Sequence, residues 1–140
     1  MDINKFAELT ASVKHIYSVT PDVYNSFKQC SGDLNLLHTS EKFAHEKGFP
    51  RVVMYGNILN AFVSHFVGML LPIPDVMIQS QEISFHRPVF LGDEIELEAS
   101  VYQVSEAVGA IVYKLRFRRL VTDGKPELVA KGQVQVGLLK

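Results

Sequence analysis

One apolar helix followed by a run of alternating segments leaves this chain few folds to adopt. From Tyr55 or Gly56 to about Leu71, the residues Ile58, Leu59, Phe62, Phe66, Met69 and Leu70 recur at spacings of three and four, and Ala61, Val63 and Val67 widen the apolar surface. A helix apolar on most sides must be central and nearly enclosed. Pro72 and Pro74 end it. The rest reads as strand. Val76 to Phe85 alternates in part. Glu94 to Val104 sets Ile95, Leu97, Ala99 and Val101 against Glu94, Glu96, Glu98 and Ser100. Ala110 to Val121 sets Ile111, Tyr113, Leu115 and Phe117 against Lys114, Arg116 and Arg118. Asp123-Gly124 is a hairpin signal, and Leu128 to Leu138 forms the last strand. One helix and an antiparallel meander predict an α+β fold with the sheet wrapped around the helix.

Upstream, Val13 to Val19 reads as a short strand. Thr20-Pro21-Asp22 starts a helix with a threonine cap, proline at the first position and aspartate in the first turn. Val23, Tyr24 and Phe27 give it an apolar side, and Gly32 ends it. Asp33 to His38 is turn-like. Ser40 caps a short helix from Glu41 to Lys47, stopped by Gly48 and Pro50.

At 140 residues the chain has the length of one domain, taken as residues 1–140. Its net charge of −1, with no basic run, argues against nucleic-acid binding. The single cysteine, Cys30, has no partner for an internal bridge and reads as a buried thiol, which fits a reducing, cytoplasmic setting. Met1 to Ala11 lacks the apolar core of a secretory signal. Ala61 to Leu71 is too short to span a bilayer, so no membrane partner is expected. No His, Cys, Asp and Glu spacing resembles a metal site.

Chemistry concentrates in Ser31-Gly32-Asp33-Leu34-Asn35-Leu36-Leu37-His38 and in Val53-Met54-Tyr55-Gly56-Asn57. Asp33 is a candidate general base if burial raises its basicity, or else a turn carboxylate. His38 can hold the same water and deliver a proton, or else be a hydrogen-bonded loop histidine. Asn35 either orients the loop through its amide or is a plain turn former. The Gly56 N–H, at a helix start, can polarise a carbonyl that gains negative charge; the plain alternative is a helix-entry glycine. Tyr55 either reaches a ligand or packs. Asn57 reads more readily as a helix-start polar group than as a ligand contact. Among the other histidines, His65 reads as a satisfied core or pocket residue, His15 and His45 as surface or strand residues, and His86 as a residue near a strand end or, alternatively, at the site mouth. Lys114, Arg116 and Arg118 read as a solvated sheet face. The sharper alternative is contact with the phosphates of a ligand, shared with Arg51 and Arg87.

These motifs resemble the MaoC-like hot-dog-fold family, close to the short (R)-specific enoyl-CoA hydratases. The resemblance rests on Ser31-Gly32-Asp33-x-Asn35-x-x-His38, Phe49-Pro50-Arg51 leading into Tyr55-Gly56, and Ser84-Phe85-x-x-Pro88-Val89-Phe90-x-Gly92-Asp93, from about Val13 to the C-terminus. It implies syn hydration of a trans-2-enoyl thioester, or the reverse dehydration. Asp33 and His38 would be catalytic with the Gly56 N–H as oxyanion donor, and Asn35, Tyr55, Asn57 and Arg87 would be near the substrate. It implies no cofactor beyond coenzyme A or acyl carrier protein as the substrate's carrier. It also implies a homodimer with the acyl chain near the subunit interface. The chain departs from the family pattern at Leu36, which replaces a proline, and at Tyr55, Asn57 and Ala61. The alternatives are a hot-dog thioesterase, disfavoured because no carboxylate lies between Tyr55 and Leu71, and a non-catalytic acyl-thioester-binding subunit.

Overall fold

The alternating segments of the C-terminal half supply four of the five strands in one antiparallel sheet. The computed structural model describes residues 1–140. Its sheet runs in the order β1 (Ser12–Ser18), β3 (Glu94–Ser105), β4 (Ala110–Arg119), β5 (Glu127–Leu138) and β2 (Val76–Phe85). Every neighbouring pair is antiparallel. The period-two pattern assigns the faces: Ile95, Leu97, Ala99, Tyr113, Leu115 and Phe117 are buried, while Lys114 and Arg116 are exposed on the other side.

The central helix α5 (Ile58–His65) lies on the buried face and continues into a wider turn over Phe66–Leu70. Ile58, Leu59, Phe62, Val63, Phe66 and Val67 all join the core cluster. The Phe66 ring meets Tyr113 edge-on, with centroids 5.3 Å apart. Burying one such large apolar side chain is worth about 1.5–3 kcal/mol. This is the α+β, hot-dog arrangement expected from the sequence.

Three features differ from expectation. The helix is shorter at its start. Ile58, Leu59 and Asn60 donate to the carbonyls of Tyr55, Gly56 and Asn57 in tight three-residue turns, so Tyr55 and Gly56 precede the α-helix proper. It is also not enclosed, because Ala61, Ser64, His65 and Met69 leave one flank exposed, with Met69 71% exposed. A helix α1 (Ile3–Leu9), which the sequence reading did not assign, packs Phe6 into the core. Seven residues are too few for intrinsic helicity, so this element depends on that tertiary anchor. No helix is long and apolar enough to cross a membrane.

The predicted caps form as read. Thr20 Oγ1 accepts from the Val23 N–H at 3.2 Å to open α2 (Pro21–Ser31). Gly32, at φ 67°, closes α2 in the left-handed region that favours glycine. Ser40 Oγ accepts from the Phe43 N–H at 3.1 Å to open α4 (Glu41–Glu46).

Burial pushes the Tyr17 phenol up to about 12 and also raises that of Tyr113. A phenol titrating higher in the folded than in the unfolded chain stabilises the fold fully below the unfolded value of about 10. That stability is lost as pH rises toward the folded value. Denaturant titrations are therefore expected to show stability falling between about pH 10 and 12. Tyr17→Phe should make that fall shallower. An unchanged slope in Tyr17→Phe would contradict this.

Candidate active site

The loop after α2 is built by its own side chains. Once Gly32 has turned the chain, Asp33 Oδ1 accepts from the Asn35 N–H and Asn35 Oδ1 accepts from the Leu37 N–H, both at 2.9 Å. The second bond caps a one-turn helix α3 (Leu36–Thr39), which the sequence reading left as turn, and α3 carries His38. Two tyrosine hydroxyls then tether the loop's carbonyls. Tyr24 donates to His38 O at 2.8 Å, and Tyr55 donates to Asp33 O. The Tyr55 ring also packs on the His38 ring, with centroids 4.3 Å apart.

This scaffold turns Asp33 and His38 toward each other, with Oδ2 and Nε2 3.8 Å apart. His38 Nδ1 lies 2.6 Å from Val53 O. A carbonyl oxygen only accepts, so Nδ1 carries the proton of the neutral ring and Nε2 keeps its lone pair on the Asp33 side. The Asp33 side chain is 44% exposed and that of His38 17%. The enclosure expected around a carboxylate base is therefore not supplied by this chain alone.

Gly56 is brought in by the strand-like segment before it. Val53 N–H donates to Leu37 O at 3.0 Å and Met54 N–H to Val89 O at 2.8 Å. The Gly56 N–H itself donates to no protein acceptor. Gly56 is a wall of a cleft of about 330 Å³ that His38, Phe85, His86 and Arg87 also line. A Cβ on Gly56 would lie 3.1 Å from the Phe85 ring, so the close approach of that ring is what glycine permits here. Asp33 is not a wall of this cleft and meets it only through His38.

The remaining candidates divide. Arg87 lines the cleft, 60% exposed, with Nη1 3.9 Å from a Glu127 carboxylate oxygen. Asn35 commits its amide oxygen to the α3 cap. Asn57 commits its own to Asn60 Nδ2 at 2.9 Å. Tyr55 is buried and uses its hydroxyl on Asp33 O, so it braces the loop rather than facing the cleft. His86, read as a strand-end residue or one at the site mouth, is a wall of the cleft. His65, expected to be a core or pocket residue, is exposed and holds the Tyr17 hydroxyl at 2.8 Å through Nδ1.

Cys30 is exposed, not buried, on an apolar groove of about 420 Å³ between α2 and α5. Lys114 and Arg116 lie on the sheet face opposite the helix, where Arg118 pairs with Glu98 at 3.6 Å, as a solvated face would. No group of three or more His, Cys, Asp or Glu is placed to hold a metal ion.

Sequence reasoning missed the Val53 carbonyl and Tyr24 as supports of His38. A backbone acceptor has no sequence signal. Tyr24 was visible only as part of the apolar side of α2.

Residues 6–116 match the model of the family described as MaoC like domain. The chain belongs to the MaoC-like family. This MaoC-like chain is 35% identical over 81 residues to an (R)-specific enoyl-CoA hydratase of Aeromonas caviae, an alignment covering 58% of this chain and 60% of that protein. It is 32% identical over 78 residues to a 3-hydroxybutyryl-CoA dehydratase of Methylorubrum extorquens, covering 56% of this chain and 50% of that one. The alignments thus span roughly half to three fifths of these relatives. The solved (R)-hydratase of A. caviae involved in PHA biosynthesis superposes with a TM-score of 0.75 at 28% identity, over 91% of this chain and 93% of that one.

The His38–Val53 bond has a direct spectroscopic consequence. In its uncharged form the His38 ring is expected to show the Nδ1-protonated tautomer by ¹⁵N NMR. An Nε2-protonated ring would contradict the assignment.

Proposed function

We propose that this chain adds water to trans-2-enoyl thioesters to give (R)-3-hydroxyacyl thioesters, and catalyses the reverse dehydration. The observation that carries this reading is the opposition of the Asp33 carboxylate and the His38 Nε2 lone pair, beside a cleft lined by Gly56, whose N–H has no protein acceptor. The hydratase and dehydratase names of its relatives support it.

A water oxygen about 2.8 Å from both Oδ2 and Nε2 fits across their separation. With Nδ1–H given to Val53, both groups facing the water are acceptors, so the neutral imidazole is the base. Nε2 takes a proton as the water oxygen bonds to C3. The C2–C3 π pair moves toward C1, and charge gathers on the thioester oxygen, where the Gly56 N–H donates to it. One such preorganised donor is worth about 3 kcal/mol. The imidazolium, facing the Asp33 carboxylate, then returns its proton to C2 from the same side. Addition is therefore syn. Relative to the sequence reading, Asp33 and His38 exchange emphasis: Asp33 orients the water and balances the imidazolium, and His38 moves the proton.

Arg87 and His86 line the cleft wall, and in this reading they would meet the carrier's phosphates. The chemistry as written uses only the chain's own groups and a thioester on coenzyme A or acyl carrier protein. The free edge of β2, with Met77 49% and Phe85 52% exposed, supports a homodimer joined along that strand. Its second copy would complete the enclosure of Asp33. The thioesterase alternative lacks its usual group, since neither α5 nor the turn after it carries a carboxylate.

The test is loss of enoyl-thioester absorbance with trans-2-butenoyl-CoA and longer homologues. Asp33→Asn and His38→Gln are each expected to lower turnover at least about a hundredfold while the fold survives. Near-normal turnover in either variant would overturn the assignment. Release of free thiol would point to hydrolysis, and binding without turnover to a non-catalytic subunit.

A further inference from the structure

Arg119 is the most heavily tethered side chain outside the cleft. It is 16% exposed. Its Nε donates to Asp93 Oδ2 at 2.8 Å, its Nη1 to Glu127 Oε2 at 3.0 Å, and its Nη2 to the Pro88 carbonyl. The Asp93 side chain, 9% exposed, is used twice more: Oδ2 accepts the Phe90 N–H at 2.8 Å, and Oδ1 lies 3.7 Å from Arg51 Nη2. The Arg51 and Arg119 guanidiniums both lie over the Phe90 ring, at 5.1 and 5.6 Å. None of these bonds reaches Asp33, His38 or Gly56.

The backbone carries the connection. Pro88 and Val89 are walls of the cleft. The Val89 carbonyl accepts the Met54 N–H at 2.8 Å. Met54 follows Val53, whose carbonyl fixes the His38 tautomer, and stands two residues before Gly56. The His86 and Arg87 N–H groups both donate to Val129 O, at 2.8 and 3.1 Å, so the same loop is held from β5 as well.

We propose that Arg119 is a positioning residue for the hydration site. By holding the Pro88 carbonyl, it sets the Pro88–Val89 strap from which Val53 to Gly56 hangs. It thereby fixes the tilt of the Val53 carbonyl against His38 and the direction of the Gly56 N–H. This inference rests on the hydratase reading. Three donors leaving one rigid plane toward two carboxylates and a carbonyl are a task only arginine performs. Lysine keeps the positive charge but cannot serve three fixed directions, so Arg119→Lys separates charge from geometry.

The experiment compares wild type with Arg119→Lys by steady-state hydration of trans-2-butenoyl-CoA, amide hydrogen exchange at Met54, and the His38 Nδ1 proton in NMR. In Arg119→Lys, kcat is expected to fall about ten- to a hundredfold with KM nearly unchanged, as misplaced catalytic groups produce. Met54 should exchange faster, and the His38 proton should shift or broaden. In Arg119→Ala, added guanidinium should restore part of the lost rate. An Arg119→Lys variant with wild-type kcat, Met54 protection and His38 resonance would overturn the proposal, whatever its melting temperature. If Arg119→Lys does not fold, Glu127→Gln, which removes one anchor at a half-exposed site, is judged by the same three readouts. If the wild type hydrates nothing, the functional reading falls, and the Met54 and His38 signals still decide the positioning claim.

Discussion

The hydrogen bond from His38 Nδ1 to the Val53 carbonyl, 2.6 Å long, governs what this site can do. It commits the ring's only neutral proton to a group that cannot give one back, and leaves Nε2 basic on the Asp33 side. Without it the imidazole could turn over, and the opposition of carboxylate and lone pair would be lost. The bond joins two stretches fifteen residues apart, so it exists only because both are held from elsewhere. The loop is held by Tyr24, Tyr55 and its two Asx caps, and the Val53 segment by Leu37 and Val89.

The fold explains why those stretches meet. A sheet curled over α5 leaves the start of that helix at the edge of the core, with the β2–β3 loop beside it. The tight turns over Tyr55 to Asn60 hold Gly56 outside the regular helix, and its N–H stays without a protein partner. Ordinary core packing of Ile58, Leu59 and Phe62 therefore fixes an unpaired donor at a cleft wall. Buried apolar area thus sets the position of a polar group, and the Phe85 ring over Gly56 shows how closely the two are fitted.

Much of this was legible in sequence because it is local. Thr20, Gly32 and Ser40 act on backbone groups within a few residues of themselves, and the alternation of β3 and β4 reports one buried face. Asp33, His38 and Gly56 were found through their motif, and their common neighbourhood is what the folded chain adds. Other parts depend on non-local register and have no local signal. Tyr55 read equally well as a ligand contact and as packing, until its hydroxyl was seen on Asp33 O. Cys30 reads as a buried thiol in sequence because nothing around it forms a triad, yet it lies on an open groove. The helix is shorter than its sequence pattern suggests because Tyr55 keeps the apolar spacing to Ile58 and Leu59, while the carbonyls of Tyr55, Gly56 and Asn57 accept tighter turns. Arg119 carries no local signal, and only the crossing of three chain segments makes it an anchor.

The central claim is that one bound thioester meets the Gly56 N–H and the His38 Nε2 together. Titration of ¹⁵N-labelled protein with a saturated acyl-CoA, which binds without reacting, tests it most directly. The account expects the Gly56 amide proton to move downfield in step with the His38 ring signals as the thioester oxygen accepts its bond. Saturable binding that leaves the Gly56 amide and His38 unmoved, with the shifts gathered elsewhere, would contradict it.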